Sequence, residues 1–225
     1  MTFVLHTLHV PGADPERDEI VATQQAQSGT RVCLHLDPSR RGVVPTWLEA
    51  LDCAAAIDEE WSVVIQDDAL PLTGWQRELP AAAHHSPAPA LGLTHFGSYG
   101  AKALAKNRPY AVGPNLIWGG AVAYHRSLLP ALASWSRRQW DTTGFEHDDV
   151  LVPAYLMQLG LTTALAARAL FDQPVQQSLL GHNTLIRRPS TTIVNTPHLA
   201  WSTRPGTLRV SRTVWPDLKE MATRP

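Results

Sequence analysis

The sequence is poor in the residues that would place it in several functional classes. Two cysteines, Cys33 and Cys53, in 225 residues are too few for a disulfide scaffold or a cysteine zinc site. Both read as small apolar packing residues in a reducing compartment. No apolar run reaches the roughly 18 residues of a membrane span. The opening MTFVLHTLHV lacks the basic region and long apolar stretch of a secretory leader, so a cytoplasmic protein without membrane association is expected. Positive charge is not in excess: 19 basic against 20 acidic residues argue against a generally basic nucleic-acid binder. Charged residues make up only 17% and hydrophobic ones 44%, which excludes disorder throughout. Proline (18) and tryptophan (8) are plentiful and suggest ordered loops with aromatic surfaces.

The charge is unevenly placed. Residues 182–225 hold seven basic residues, among them Arg187 and Arg188, against two acidic ones, a net +5 that leaves −6 on residues 1–181. This divides the chain into a main domain, 1–181, and a basic C-terminal segment packing on it. Such a segment is either a solvated tail or a contact surface for an anionic partner.

Apolar runs at Phe3–Val10, Arg31–Leu36 and Trp61–Ile65 predict three strands, and helical spacing predicts helices over 15–28 and 46–57 between them. Helices are further expected over 73–83, 127–138 and 150–159, and strands over 90–94, 117–124 and 162–170. The Gly- and Pro-rich stretch 95–115 reads as a loop. Strands alternating with helices imply an α/β layer structure, parallel at first and mixed later, in one domain.

The strongest local signal is WSVVIQDDALP: an apolar strand ending in Asp67 and Asp68. Ligand crevices of open α/β sheets lie at the C-terminal strand ends. Two adjacent carboxylates repel unless a cation or a hydrogen-bond network compensates, and hard oxygen ligands suit Mg²⁺ or Mn²⁺ bridging a diphosphate. The alternative is an ordinary acidic turn.

VVIQDDALP resembles the metal-binding carboxylate motif of GT-A type glycosyltransferases, which take a sugar from a nucleotide-sugar. IWGGAVAYHRSLL resembles their donor-site Gly-Gly-Ala strand and helix, EHDDVLVPAYLMQLGL the acidic segment facing the acceptor, and QSLLGH the C-terminal segment whose histidine reaches the metal or the diphosphate. The motifs stand in the family's order over residues 2–183. The resemblance implies a GT-A-like, Rossmann-like sheet flanked by helices, a nucleotide-sugar donor (a UDP-sugar first), and Mn²⁺ or Mg²⁺. Asp68 is then the metal ligand and Asp67 a nucleotide or ribose contact, because neighbouring side chains of a short turn cannot both face one ion. His182 is the expected third ligand, with Asp172 as the alternative, since Gln173 stands where relatives often place histidine. The first residue of the carboxylate motif is Gln66, where many relatives have an acid.

Gly119 and Gly120 permit close backbone approach to a sugar, or mark a strand bulge. Asp148 and Asp149 cap a helix, or one of them serves as general base for an acceptor hydroxyl. Arg41 and Thr46, after the second strand, hold the nucleotide or belong to a solvated turn. His6 and His9 on the first strand stay open in the same way, and His84–His85 reads as surface. A nucleotidyltransferase would need a glycine-rich basic loop where this chain reads PGADPERDE.

For the acceptor, the basic segment with Trp201 and Trp215 favours an anionic partner with faces to stack on. Compact glycosyltransferases of bacterial viruses that decorate hydroxymethylated DNA bases fit this description. DNA would then be a partner, in a host cytoplasm, with Arg187, Arg188 and Trp118 as acceptor contacts. A saccharide or protein acceptor, or a nucleotide-sugar-binding module without turnover, are the alternatives.

Overall fold

The computed structural model describes residues 2–94, 98–117, 119–145, 147–173, 201 and 206–210. Expectations for Trp118, His182, Arg187, Arg188 and Trp215 lie outside these residues. In chain order the elements are β1 (Phe3–His9), α1 (Pro15–Gln27), β2 (Val32–Leu36), α2 (Val43–Ala55), β3 (Trp61–Gln66), β4 (Leu70–Pro71), α3 (Trp75–His84), β5 (Ala90–Gly92), α4 (Tyr99–Ala105), β6 (Tyr110–Gly113), β7 (Ala121–His125), α5 (Leu129–Thr143), α6 (Asp148–Gln158), β8 (Thr163–Ala166), β9 (Phe171–Asp172) and β10 (Leu208–Arg209).

Eight strands form one mixed sheet in the order β10-β6-β8-β5-β7-β3-β1-β2. Its beginning is parallel, with β1 between β2 and β3. It becomes mixed where β7 joins β3 antiparallel, and four of its seven pairings are parallel. This is the mainly parallel α/β sheet flanked by helices that the strand–helix alternation predicts. β3 lies inside the sheet and is covered on both faces, which is why WSVVI is apolar at every position but Ser62 rather than alternating. One face packs against α2, α5 and α6 around Trp47, Leu51, Leu132 and Leu151. The other packs against α3 around Trp75, Leu79, Leu91 and Phe171. Among the described residues no helix is long and apolar enough to cross a membrane.

α1 starts where its sequence dictates. The Asp14 side chain accepts from the Glu16 N–H (2.9 Å), Pro15 takes the first turn, and Glu16 and Asp18 meet the positive end of the helix dipole.

Four expectations need correction. The stretch 95–115 is not all loop: it contains α4 and β6. α4 is a seven-residue helix burying only Gly100 and Ala103, too short for its period to show. β6 is a strand because β8 and β10 pair with it from either side. The strand expected over 117–124 begins only at Ala121, since Gly119–Gly120 form a turn. The strand over 162–170 ends at Ala166. Finally, Trp201 does not stand free as a stacking face but is half-buried against the domain. It packs on Tyr110, ring centroids 5.6 Å apart, and donates its indole N–H to Glu78 (2.7 Å).

Candidate functional site

The antiparallel register of β3 and β7 sets Ile65 opposite Ala121. The end of β3, carrying Asp67 and Asp68, therefore lies beside the Gly119–Gly120 turn that precedes β7. The Gln66 N–H donates to the Gly120 carbonyl (2.8 Å), which closes this junction. β1 ends alongside, with His9 and Val10. The small β4–β9 ribbon pairs Leu70 with Asp172 and carries Gln173 over the acidic pair. Four chain segments remote in sequence thus meet at the C-terminal ends of β1 and β3, the position ligands take in open α/β sheets.

Both carboxylates are buried, Asp67 at 5% and Asp68 at 4% exposure. Their environments differ. Every oxygen of Asp67 is engaged: Oδ1 accepts from the Arg17 guanidinium, and Oδ2 accepts from the Val10 N–H (3.2 Å) and meets His9 Nδ1 (3.1 Å). The far side of the His9 ring, Nε2, lies 3.0 Å from Asp18. For Asp68, Oδ1 accepts from the Gln173 side-chain amide (3.1 Å), and Oδ2 lies 3.5 Å from the second terminal nitrogen of Arg17. The guanidinium fork therefore spans the pair and offsets the repulsion that two adjacent carboxylates would suffer when desolvated. Its Nε is buried with no hydrogen-bond partner among the described residues.

The backbone of the acidic turn is pinned from α1. Gln24, fully buried, donates to the carbonyls of Gln66 (3.0 Å) and Ala69 (2.8 Å) and accepts from the Thr7 hydroxyl (3.1 Å). Gly119 and Gly120 have no left-handed backbone, and the space a Cβ would take holds the side chains of Gln66 and Gln173. A Cβ on Gly119 would sit 2.6 Å from the Gln66 amide nitrogen, and one on Gly120 would run into the Gln173 side chain. The glycines thereby make room for the amide that meets Asp68.

Asp148 starts α6 and is buried at 8% exposure. Burial, then the charge of Asp149, and more weakly that of Asp68, push its carboxyl up to about 7. Burial raises the Tyr124 phenol of β7, and Asp148 and then Asp149 add to it. The acidic helix start thus faces the strand-end pair closely enough to feel its charge. A carboxyl titrating near neutrality suits proton transfer to or from a hydroxyl.

This shift predicts a measurable pH dependence. The folded chain holds the Asp148 proton more tightly than the unfolded chain, where the usual value is 3.8. Stability from this group is complete below pH 4 and is lost as pH rises towards 7. The slope is about 1.4 kcal/mol per pH unit, roughly 4 kcal/mol over the window. Asp148→Asn should remove that slope and gain stability over wild type at pH 8. Urea unfolding of both proteins in chelator at pH 4.5 and 8 checks this; parallel pH profiles would refute it.

The other expected residues lie further out. Arg41 is exposed and bonds Asp37 (3.2 Å) and Glu49 (2.8 Å). Thr46 is buried, and its hydroxyl donates to the Gly42 carbonyl within the first turn of α2 (3.4 Å). The nearby buried group is Asp37 at the end of β2. It accepts from the Gly42 N–H (3.1 Å) and from Arg41; these bonds outweigh burial and hold its carboxyl below the usual value.

Sequence reasoning missed Arg17, Gln24 and Asp37. Arg17 leaves one legible sign: it is a cation between Glu16 and Asp18 in the first turn of α1, where the dipole favours anions.

Both carboxylates are engaged through both oxygens, Asp67 by Arg17, Val10 and His9, and Asp68 by Gln173 and more loosely by Arg17. Asp68 meets a neutral amide that can turn away, and one carboxylate completed by phosphate oxygens and water is a common way of holding Mg²⁺.

No protein-family model matches the chain, and a search of curated proteins returns no match. Among solved structures, the chain aligns with a glycosyltransferase involved in the glycosylation of the major capsid of PBCV-1 at a TM-score of 0.40. The identity is 13%, over 65% of this chain and 72% of that one. A mutant Drosophila β-1,4-galactosyltransferase 7 in complex with manganese, UDP-Gal and xylobiose aligns at 0.42, with 12% identity over 79% and 72%. HddC from Yersinia pseudotuberculosis aligns at 0.32, with 9% identity over 58% and 80%. Likeness at these TM-scores carries no argument for function.

Proposed function

We propose that this chain is a glycosyltransferase of the GT-A kind, moving a sugar from a nucleotide-sugar, a UDP-sugar first, to a hydroxyl acceptor. The observation that supports this is the buried Asp67–Asp68 pair at the end of an interior strand, under a Gly-Gly turn and opposite the acidic start of α6. In this reading Asp67, fixed by Arg17 and His9, positions the turn. Asp68 presents its carboxylate towards the donor diphosphate. Gly119 and Gly120 leave room for the Gln66 and Gln173 side chains on the donor side, and Asp148 or its neighbour Asp149 takes the acceptor proton. A Mn²⁺ or Mg²⁺ held by Asp68 would neutralise the charge of the departing diphosphate.

For the acceptor, the support is the +5 charge of residues 182–225 against −6 on the remainder. It favours an anionic polymer, and we take a hydroxymethylated pyrimidine in DNA as the acceptor. Phosphate contacts would make that affinity fall with salt, and the base would have to leave the stack to be reached.

The test is nucleotide release from a panel of UDP-, GDP- and TDP-sugars with Mn²⁺ or Mg²⁺, with and without hydroxymethylated DNA and free saccharides. Release from one donor with label entering DNA is expected. Label entering only a saccharide would refute the DNA acceptor. Nucleotide binding by thermal shift without release from any donor would make the chain a binding module.

A further inference from the structure

A second cluster of chemistry-bearing side chains lies apart from the acidic pair, between β1, β2 and α2. His6 comes from β1, Cys33 and His35 from β2, and Cys53 from the last turn of α2. The parallel register sets His6 beside Cys33. Cys33 and His35, two residues apart on one strand, share its face. His6 Nδ1 and His35 Nε2 are 3.0 Å apart with the rings stacked. One ligand atom from each of His6, His35 and Cys53 falls within 4.8 Å of the others. Cys33 stands beside this trio, opposite His6 in the strand register. The chain's two cysteines, twenty residues apart in sequence, thus stand with two histidines.

We propose that His6, His35, Cys53 and Cys33 form a site for a single zinc ion that ties the edge strand β2 to β1 and α2. Tetrahedral zinc, with Zn–N of about 2.0–2.1 Å and Zn–S of about 2.3 Å, sets its ligand atoms roughly 3.3–3.8 Å apart. The ligand atoms of His6, His35 and Cys53 already lie within 4.8 Å of one another, and Cys33, opposite His6, would be the fourth. The ligand set is chemically selective: thiolate and imidazole favour zinc and disfavour the Mg²⁺ or Mn²⁺ that suits Asp68.

A second observation points the same way. His6 is completely buried, and its Nε2 has no hydrogen-bond partner among the described residues. A buried imidazole whose one contact is another imidazole is poorly satisfied as a mere packing residue. As a ligand it has a reason to be there. Cys33, His35 and Cys53 are each half-buried, so the ion has a way in from the sheet edge. Arg31 and Glu49 flank the cluster with opposite charges. Four protein ligands leave no open position, so the ion is structural and its binding adds to folding stability.

The test uses the full chain, reduced, stripped with chelator and titrated with Co²⁺. One equivalent should bring up thiolate-to-cobalt charge transfer in the near ultraviolet together with the visible bands of tetrahedral cobalt. One equivalent of Zn²⁺ should erase both and raise the melting temperature. Cys53→Ser should weaken Zn²⁺ binding about 100-fold or more, judged against the loss from a single supporting partner, and Cys33→Ser should halve the charge-transfer intensity. Asp68→Asn should leave the titration unchanged, which separates this site from the acidic pair. A wild-type titration without thiolate bands, or a Cys33–Cys53 disulfide in the reduced and stripped chain, would overturn the proposal without any variant having to fold.

Discussion

Replacing Arg17 with methionine is expected to cost about 3–5 kcal/mol of stability at neutral pH, the scale for removing one partner of a buried ion pair. For a chain of this size that is a drop of roughly 6–20 °C in Tm. Methionine keeps most of the aliphatic volume, so the loss reports charge. Arg17 is buried at 7% and its fork reaches both carboxylates. Without it Asp67 keeps His9 and the Val10 N–H, while Asp68 faces a second carboxylate across a desolvated turn. The deficit is the repulsion that the guanidinium had offset. Arg17→Lys should recover only part of it, because one ammonium cannot span both carboxylates. Thermal unfolding of the three proteins at pH 7.5 decides the matter. An unchanged Tm for Arg17→Met at pH 7.5 would mean that the ion pair carries no stability.

Asp68→Asn is expected to behave in the opposite way, folding normally and losing turnover. Asparagine keeps the size of the side chain and can still accept from Gln173, while the single guanidinium then faces one carboxylate in place of two, so Tm should hold or rise. What would be lost, on the proposed function, is the carboxylate that would hold a divalent cation against the donor diphosphate. Losing one fixed group that stabilises developing charge slows a reaction by about 10²–10³-fold. Asp67→Asn gives the contrast. Its amide would set a donor against Arg17 or against the Val10 N–H, so Tm should fall before any effect on chemistry can be read. Nucleotide release from the productive donor, measured beside thermal unfolding for both variants, separates the roles. Turnover within about 10-fold of wild type for Asp68→Asn, a far smaller loss than that range, would remove Asp68 from the chemistry and with it the main support for the proposed function.

The sequence by itself determined the first half of the fold. β1, α1, β2, α2 and β3 follow from apolar runs and helical spacing, because each is long enough for its period to appear and each begins or ends at a strong local signal such as Asp14-Pro15. It also located the acidic pair, since a strand buried on both faces reads as a near-continuous apolar run and its end is marked by the first charges. Local rules did not reach β6 and β10, which are strands only because neighbours pair with them. They did not reach the start of β7 either, which begins at Ala121, where it pairs with Ile65 after the Gly119–Gly120 turn. The division of labour within the pair was likewise a tertiary decision. Asp67 and Asp68 are adjacent and chemically identical, and they differ because a helix 50 residues upstream delivers Arg17 and a ribbon 105 residues downstream delivers Gln173. The His6–His35–Cys53 cluster is the extreme case. No spacing along the chain betrays it, because its members come from three elements that meet only once β1 and β2 are in register and α2 is packed across them. Spacing in sequence records ligands supplied by one element; ligands supplied by several are brought together by packing.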